Sequence, residues 1–316
     1  MTDIREVIII GGGLAGLSAA IYLGRGKRDT LVIHSGRSMA KWEPEVQNYP
    51  GFPHGIAGAT LLDLCMAQAS RFEVGIVKDD VQSLTKQDGI FTLRGHQQSY
   101  QAKRTLLATG LTHLPPEIPG VRECVGTSLF FCKDCDAYRL NGKRVIIIGQ
   151  NNEAADYALG MLLFTPHVML TTNGKGVQWN DDRAGWLREY DIHVRLESIG
   201  GLEHEEGRVH SMVFVRGESE QVEAIFTTRG DVCHNALAEE VGARIDSEGQ
   251  IIVDTSMRTS VPGLYAAGCV TPVNCQMIVA AGQGATAAQA INRDLFDESL
   301  RQHTLPRMAN QTPPSI

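Results

Sequence analysis

Cys132 and Cys135 form a C-x-x-C pair in the stretch FFCKDCDAYRL, and Asp136 follows at once. Two thiols at this spacing can close on each other, and such pairs often have a lowered thiol pKa. The chemistry they suit is dithiol–disulfide exchange, with Asp136 as the acid–base group for the exchanging thiol. Half of a zinc site is the other use for such a pair. That use needs a second pair at matching spacing, which the sequence lacks, so no metal is expected. The cysteine pair stands a few residues before RVIIIGQNNEAAD, which reads as a strand and a glycine turn.

A second chemistry-bearing pattern lies at the start of the chain. In EVIIIGGGLAGLSAAIYLGRG, Gly11, Gly13 and Gly16 give G-x-G-x-x-G directly after the apolar run Val7–Ile10. The first glycine permits the turn, the second lets a phosphate reach the backbone, and the third packs helix on strand. Leu14 to Leu23 has helical spacing, so a pyrophosphate would sit on the helix N-terminus among free N–H groups. The turn residues Gly12, Leu14 and Ala15 belong to the same site. The next strand, TLVIHSGRS, ends in His34, Ser35, Gly36 and Arg37 where a ribose-binding acid is usual.

The turn after the cysteines repeats the plan in altered form. Its motif is Gly149, Asn151, Ala154 in place of three glycines. Asn151 puts a side chain where a phosphate oxygen must approach, and Glu153 puts a carboxylate beside the helix N-terminus. Two like charges about 4 Å apart cost roughly 4 kcal/mol at an effective dielectric near 20. The following strand ends in TTNG, with no arginine for a 2′-phosphate. NADPH is therefore not expected as a ligand, and the expectation is a scaffold or a repurposed site. Trp179 and Trp186 offer rings on which a second flavin or other nucleotide would stack, or serve simply as core.

The elements that position these groups are two βαβ units of one type, so the fold class is α/β with two Rossmann-like, three-layer domains. The 316 residues are enough for both, with 43% apolar residues for their cores. A net charge of −7 excludes general nucleic-acid binding, which needs a basic footprint. No apolar run approaches membrane-spanning length, and MTDIREVIII does not read as a secretory leader, so the expected compartment is the cytoplasm. Seven cysteines with one close pair suit a catalytic pair more than a structural framework. Cys65 is expected in a core helix, and Cys124 and Cys233 are expected to be inert.

Taken together, the two nucleotide-type turns and CKDCD before the second resemble the low-molecular-weight thioredoxin reductases. EVQNYPGFPHGIAG, LLATG, GQIIVDTSMRTSVPGLYAAGCV and CQMIVAAGQGATAA carry the same resemblance, which reaches to about residue 296. It implies FAD in the first site, a homodimer, and a flavin domain (residues 1–114 and 231–302) interrupted by a middle domain (residues 115–230) that holds the cysteines. Residues 303–316 read as a tail. The crossovers HLPPEIPG and TTRGDVCHN are expected to lie close together and to form a hinge. The resemblance also places Asn48, Val81, Ala108, Thr109, Gly110, Gly268, Cys269, Gln276 and Met277 among the flavin-binding positions. It assigns Cys135 to the flavin and Cys132 to the substrate.

Departures from the family narrow the expectation. The flavin-binding Asp of A-A-G-D is Cys269 here, and the Arg before Gln276 is Cys275. These two are either a second redox pair or small space-filling residues. The chain resembles the branch that works without nicotinamide nucleotides, in which some members take electrons from ferredoxin and others run as dithiol oxidases. The expected activity is an FAD-dependent reduction of a thioredoxin-like disulfide through Cys132 and Cys135, with ferredoxin as suspected donor. The alternatives are a dithiol oxidase using oxygen and a flavin-binding redox sensor.

Overall fold

The computed structural model describes residues 3–228 and 230–305; most of the expected tail lies outside them. The chain divides into two compact units, one of residues 3–41, 59–111 and 233–305, the other of residues 42–58, 112–228 and 230–232. The segment 42–58, which includes Asn48, clusters with the second unit.

In the first unit the strand Ile4–Ile10 runs parallel between Thr30–His34 and Ser99–Leu107. Gly75–Lys78 extends the sheet beyond Thr30–His34, and Leu264–Ala266 pairs with Ser99–Leu107, both parallel. The hairpin Val81–Gln87 and Ile90–Gly95 continues it in antiparallel sense. Val7, Ile8 and Ile9 are wholly buried, because a strand covered on both faces can be apolar at every position. Ile8 and Ile10 meet Ile33, Leu107 and Phe91 on one face. On the other, helix Leu14–Arg25 packs against helix Met277–Arg301. Gly284 allows that approach, since a Cβ there would strike the Ala15 carbonyl.

The loop after Gly75–Lys78 is pinned by Asp79, which is 5% exposed. Its carboxylate accepts the N–H groups of Asp80, His96 and Gln97 and the hydroxyl of Tyr100 (2.9 Å). Burial pushes its pKa up, but these four donors outweigh burial and hold it below the ordinary carboxylate range. The Asp79 N–H in turn donates to the His34 carbonyl at 3.1 Å, so the cluster holds the end of the strand that leads into His34–Arg37. Asp79→Asn turns an amide toward these donors and is expected to cost about 2–3 kcal/mol near neutral pH. A carboxylate with a depressed folded pKa stabilises above its unfolded value and loses that contribution as pH falls through the folded value. The difference in urea midpoint between parent and variant must therefore shrink below about pH 4. A difference that stays constant across that range would refute the assignment.

The second unit is built on the parallel order His193–Arg195, Val168–Thr171, Val145–Ile148, Ala224–Thr227, Leu129–Phe130. Strand alternation divides its side chains between two cores. Val145, Ile147, Leu170 and Phe226 pack with Ala154, Ala155 and Ala158 of helix Asn152–Met161. Ile146, Ile148, Met169 and Ile225 pack with Ile199, Met212 and Phe214 of the antiparallel sheet Ile199–Glu205, Arg208–Phe214, Ser219–Gln221. The three layers are thus helix, parallel sheet and antiparallel sheet. The chain enters and leaves the unit side by side: the Leu114 N–H donates to the Gly230 carbonyl at 2.6 Å, and His113 pairs with Asp231 at 2.5 Å.

Candidate active site

The first glycine turn has the form a pyrophosphate requires. Gly11 sits at φ +122°, and a side chain there would strike the Ala108 carbonyl; one at Gly16 would strike the Gly11 carbonyl. Gly13 is the N-cap of Leu14–Arg25, and no side chain caps that helix. A Cβ on Gly13 would have only Ser38 Oγ near it, at 3.7 Å. The first turn carries no acidic residue. The donors at this helix start are thus available to an anion, and the residues fit FAD.

The first unit holds most of the positions expected to bind the cofactor. The Ala108 N–H donates to the Ile10 carbonyl (2.8 Å), the Thr109 hydroxyl to the His234 carbonyl (2.6 Å), and the His234 N–H to the Gly110 carbonyl (3.0 Å). Gly268 approaches the first turn of the helix, since a Cβ there would stand 3.0 Å from the Ala15 Cβ. Gln276 is the N-cap before Met277. Val81 opens its strand opposite Gly95. Burial lowers the pKa of His34, and the cations Lys41 and Lys78 lower it further. Arg37 is turned to Asp80, at 2.5 Å. Cys269 is not a lone side chain in this group, because it is disulfide-bonded to Cys275.

In the second unit Cys132 and Cys135 form a disulfide, with Cα atoms 5.3 Å apart. Cys132 caps the short helix Lys133–Asp136, and its sulfur accepts the Cys135 N–H at 3.1 Å. Asp136 is 3% exposed and paired with Arg139, whose guanidinium lies 4.8 Å from the Phe130 ring centroid. Its pKa is pushed up to about 7 by burial and by the nearby Glu43, against the opposing pull of Arg139. Glu43 is itself raised by burial, with Arg139 and His113 opposing. Neither Glu43 nor Arg139 was expected at the site. Arg139, one helical turn after Asp136, is visible as an i,i+3 charge pair. Glu43 carries no local signal at all.

The raised pKa of Asp136 has a measurable sign. A carboxyl whose folded pKa exceeds its unfolded value makes the fold lose stability as pH rises from about 4 to about 7, with a flat response above. Asp136→Asn must remove that slope. Denaturant midpoints taken at several pH values will show it, and equal slopes in parent and variant would refute the shift.

The second glycine turn is closed by the chain itself. The Asn151 side chain accepts the Ala154 N–H at 3.3 Å and so caps helix Asn152–Met161, and Glu153 lies in its first turn. The following segment is tied across: the Gln178 N–H donates to the Gln150 carbonyl at 2.6 Å, and the Asn180 N–H to Asn152 Oδ1 at 2.8 Å. Trp179 packs against the neighbouring core, and Trp186 carries the Arg183 guanidinium over its ring. Arg183 is bidentate to Asp156. Lys175, just beyond TTNG, is an exposed cation that the sequence reading passed over.

Of the remaining cysteines, Cys124 is wholly buried, with its thiol donating to the Gly120 carbonyl at 3.4 Å. Burial raises its pKa, as an inert thiol requires. Cys65 lies on helix Gly58–Ser70 but is only half-buried.

Across residues 5–287 the chain matches the pyridine nucleotide-disulphide oxidoreductase family. The thioredoxin reductase of Treponema pallidum is 33% identical over 300 residues, covering 90% of this chain and 95% of the relative. A putative thioredoxin reductase structure from Bacillus anthracis aligns at 29% identity with a TM-score of 0.87, covering 93% of this chain and 99% of that one. The atypical thioredoxin reductase from Desulfovibrio vulgaris Hildenborough aligns at 31% identity and a TM-score of 0.53, with the same coverage.

Proposed function

We propose that this chain, which belongs to the pyridine nucleotide-disulphide oxidoreductase family and within it to the thioredoxin reductase type, reduces a thioredoxin-like disulfide with electrons from a donor other than NADPH. The enzyme is an FAD-dependent disulfide oxidoreductase with Cys132–Cys135 as its redox disulfide. The observation that carries the reading is that disulfide joined directly to Asp136, a buried carboxyl that changes charge near pH 7.

Bound at the first glycine turn, FAD supplies redox chemistry that couples one-electron and two-electron partners. The chain's own residues do the rest. Gly11, Gly13 and the uncapped helix start would hold the pyrophosphate. Cys135 is the sulfur that receives the electron pair, and Cys132 is the one that attacks the substrate disulfide. The Cys135 N–H, which donates to the Cys132 sulfur, favours a thiolate there once the pair is reduced. Asp136 in its acid form gives a proton to the departing substrate thiolate.

The donor is inferred from the second glycine turn. Its helix start is filled by Asn151 and faced by Glu153, which supports a carrier that bypasses the middle unit. A one-electron protein donor such as ferredoxin meets that need, and a homodimer is the expected assembly. The test is anaerobic reduction of the flavin-loaded protein by NADPH, NADH, reduced ferredoxin and a small dithiol in parallel. Rapid reduction by ferredoxin, followed by reduction of thioredoxin, supports the reading. Reduction by the dithiol alone, with reoxidation by oxygen, makes the enzyme a dithiol oxidase instead.

A further inference from the structure

The loop after strand Leu264–Ala266 contains a disulfide that the proposed function does not use: Cys269 is bonded to Cys275, with Cα atoms 5.0 Å apart. We infer that Cys269–Cys275 is a second redox-active disulfide, which exchanges an electron pair with the flavin of the neighbouring glycine turn and presents Cys275 to thiols and disulfides in solvent. The inference rests on the FAD reading of that turn.

Its position carries it. Gly268 precedes Cys269 at φ +83° and lies against Ala15, in the first turn of the helix that the glycine motif opens. Cys275 precedes Gln276, the N-cap of Met277–Arg301, and that helix packs on the same one through Gly284. Both ends of the bridge are therefore tied to the helix expected to hold the pyrophosphate, beyond the carboxyl end of a parallel strand, where ligands bind in this fold. The two sulfurs differ in access: Cys269 is half-buried and Cys275 is exposed. A solution thiolate can attack at Cys275 and expel Cys269, which is the polarity of an exchanging disulfide.

The loop does not need the bond as a staple. Thr271 is wholly buried; its hydroxyl donates to the Gly268 carbonyl at 2.8 Å and lies 3.2 Å from Gln283 Oε1. The same Gln283 oxygen accepts the Gly268 N–H at 2.7 Å. The bridge closes only a short loop, the case in which a cross-link restrains the unfolded chain least.

In the reducing step the Cys269–Cys275 bond breaks. Each sulfur gains one electron and one proton from the reduced flavin, which is oxidised by two electrons. In the return step the Cys275 thiolate attacks an external disulfide and displaces one of its sulfurs as a thiolate. Cys269 then closes on Cys275 and releases the second, so the two electrons pass to the external disulfide.

The test traps thiols in the parent protein. Flavin-loaded and flavin-free samples are illuminated anaerobically with a sacrificial donor, quenched with N-ethylmaleimide, and mapped by peptide mass. The expected result is labelling of both Cys269 and Cys275 in the loaded sample, with about tenfold less in the flavin-free one. Labelling of Cys132 and Cys135 while Cys269–Cys275 stays closed overturns the inference and leaves the proposed function standing. Labelling of Cys269 and Cys275 alone supports the inference and defeats the proposed function. Equal labelling with and without flavin, or a protein that takes up no flavin, overturns it.

Discussion

The Cys135→Ser protein, compared with its parent in a Cys275→Ser background that silences the second disulfide, will hold its flavin and fail at dithiol–disulfide turnover by about a thousandfold or more, the scale on which removal of a covalent nucleophile falls. The groups expected to bind FAD belong to the first unit for the most part: the Gly11–Gly16 turn, Ala108–Gly110, and the start of helix Met277–Arg301. Cys135 belongs to the second unit, on the short helix Lys133–Asp136. The substitution changes one atom of that side chain and none of the cradle. A serine hydroxyl cannot bridge to Cys132, and its far higher pKa leaves no anion to exchange. The visible flavin band of the purified variant reports cofactor binding, and reduction of a small disulfide by photoreduced enzyme reports turnover. Equal turnover in variant and parent would sink the mechanism.

The second large effect concerns the donor. NADPH at millimolar concentration is expected to leave the flavin band of the oxidised enzyme unbleached on the timescale of seconds. The Asn151 side chain takes up the Ala154 N–H that would otherwise be offered to phosphate. Losing a charged hydrogen bond costs roughly 1.5–3 kcal/mol. Glu153 adds repulsion of up to about 4 kcal/mol if it comes within about 4 Å of phosphate. The cross-ties of Gln178 and Asn180 must also be kept or broken. Lys175 offsets part of the repulsion, but it is an exposed lysine and contributes little through screened solvent. The net deficit approaches about 5 kcal/mol, several thousandfold in affinity. NADH, which lacks only the 2′-phosphate, is expected to be poor as well. Bleaching within seconds would mean that Asn151 and Glu153 move aside for the cofactor.

Much of this protein was legible along the chain because the relevant physics is local. A buried strand followed by Gly11, Gly13 and Gly16 specifies a phosphate-binding turn, since backbone reach and the absence of side chains are decided within six residues. C-x-x-C closes within one helical turn and could be read from spacing alone, whereas the sequence showed Asn151 only as a side chain crowding the phosphate position and not as the cap of its helix. The alternation of Val145–Ile148 follows from the period of a strand, although the nature of the layer on each face does not.

What the tertiary structure decided is what depends on distant parts of the chain. Asp136 is an ordinary acid in the sequence. Burial and the approach of Glu43, brought by a segment that clusters with the second unit, move its charge change to about pH 7. The segment 42–58 shows no composition or period that assigns it to one unit or the other. Cys269 and Cys275 were two small residues with two possible uses. The loop between them had to fold back, anchored by Thr271 and Gln283, before a bond became the outcome. Local spacing sets which groups meet when they share a turn of backbone. Only the packed fold sets which remote charges share a desolvated site, and desolvation is what shifts a pKa.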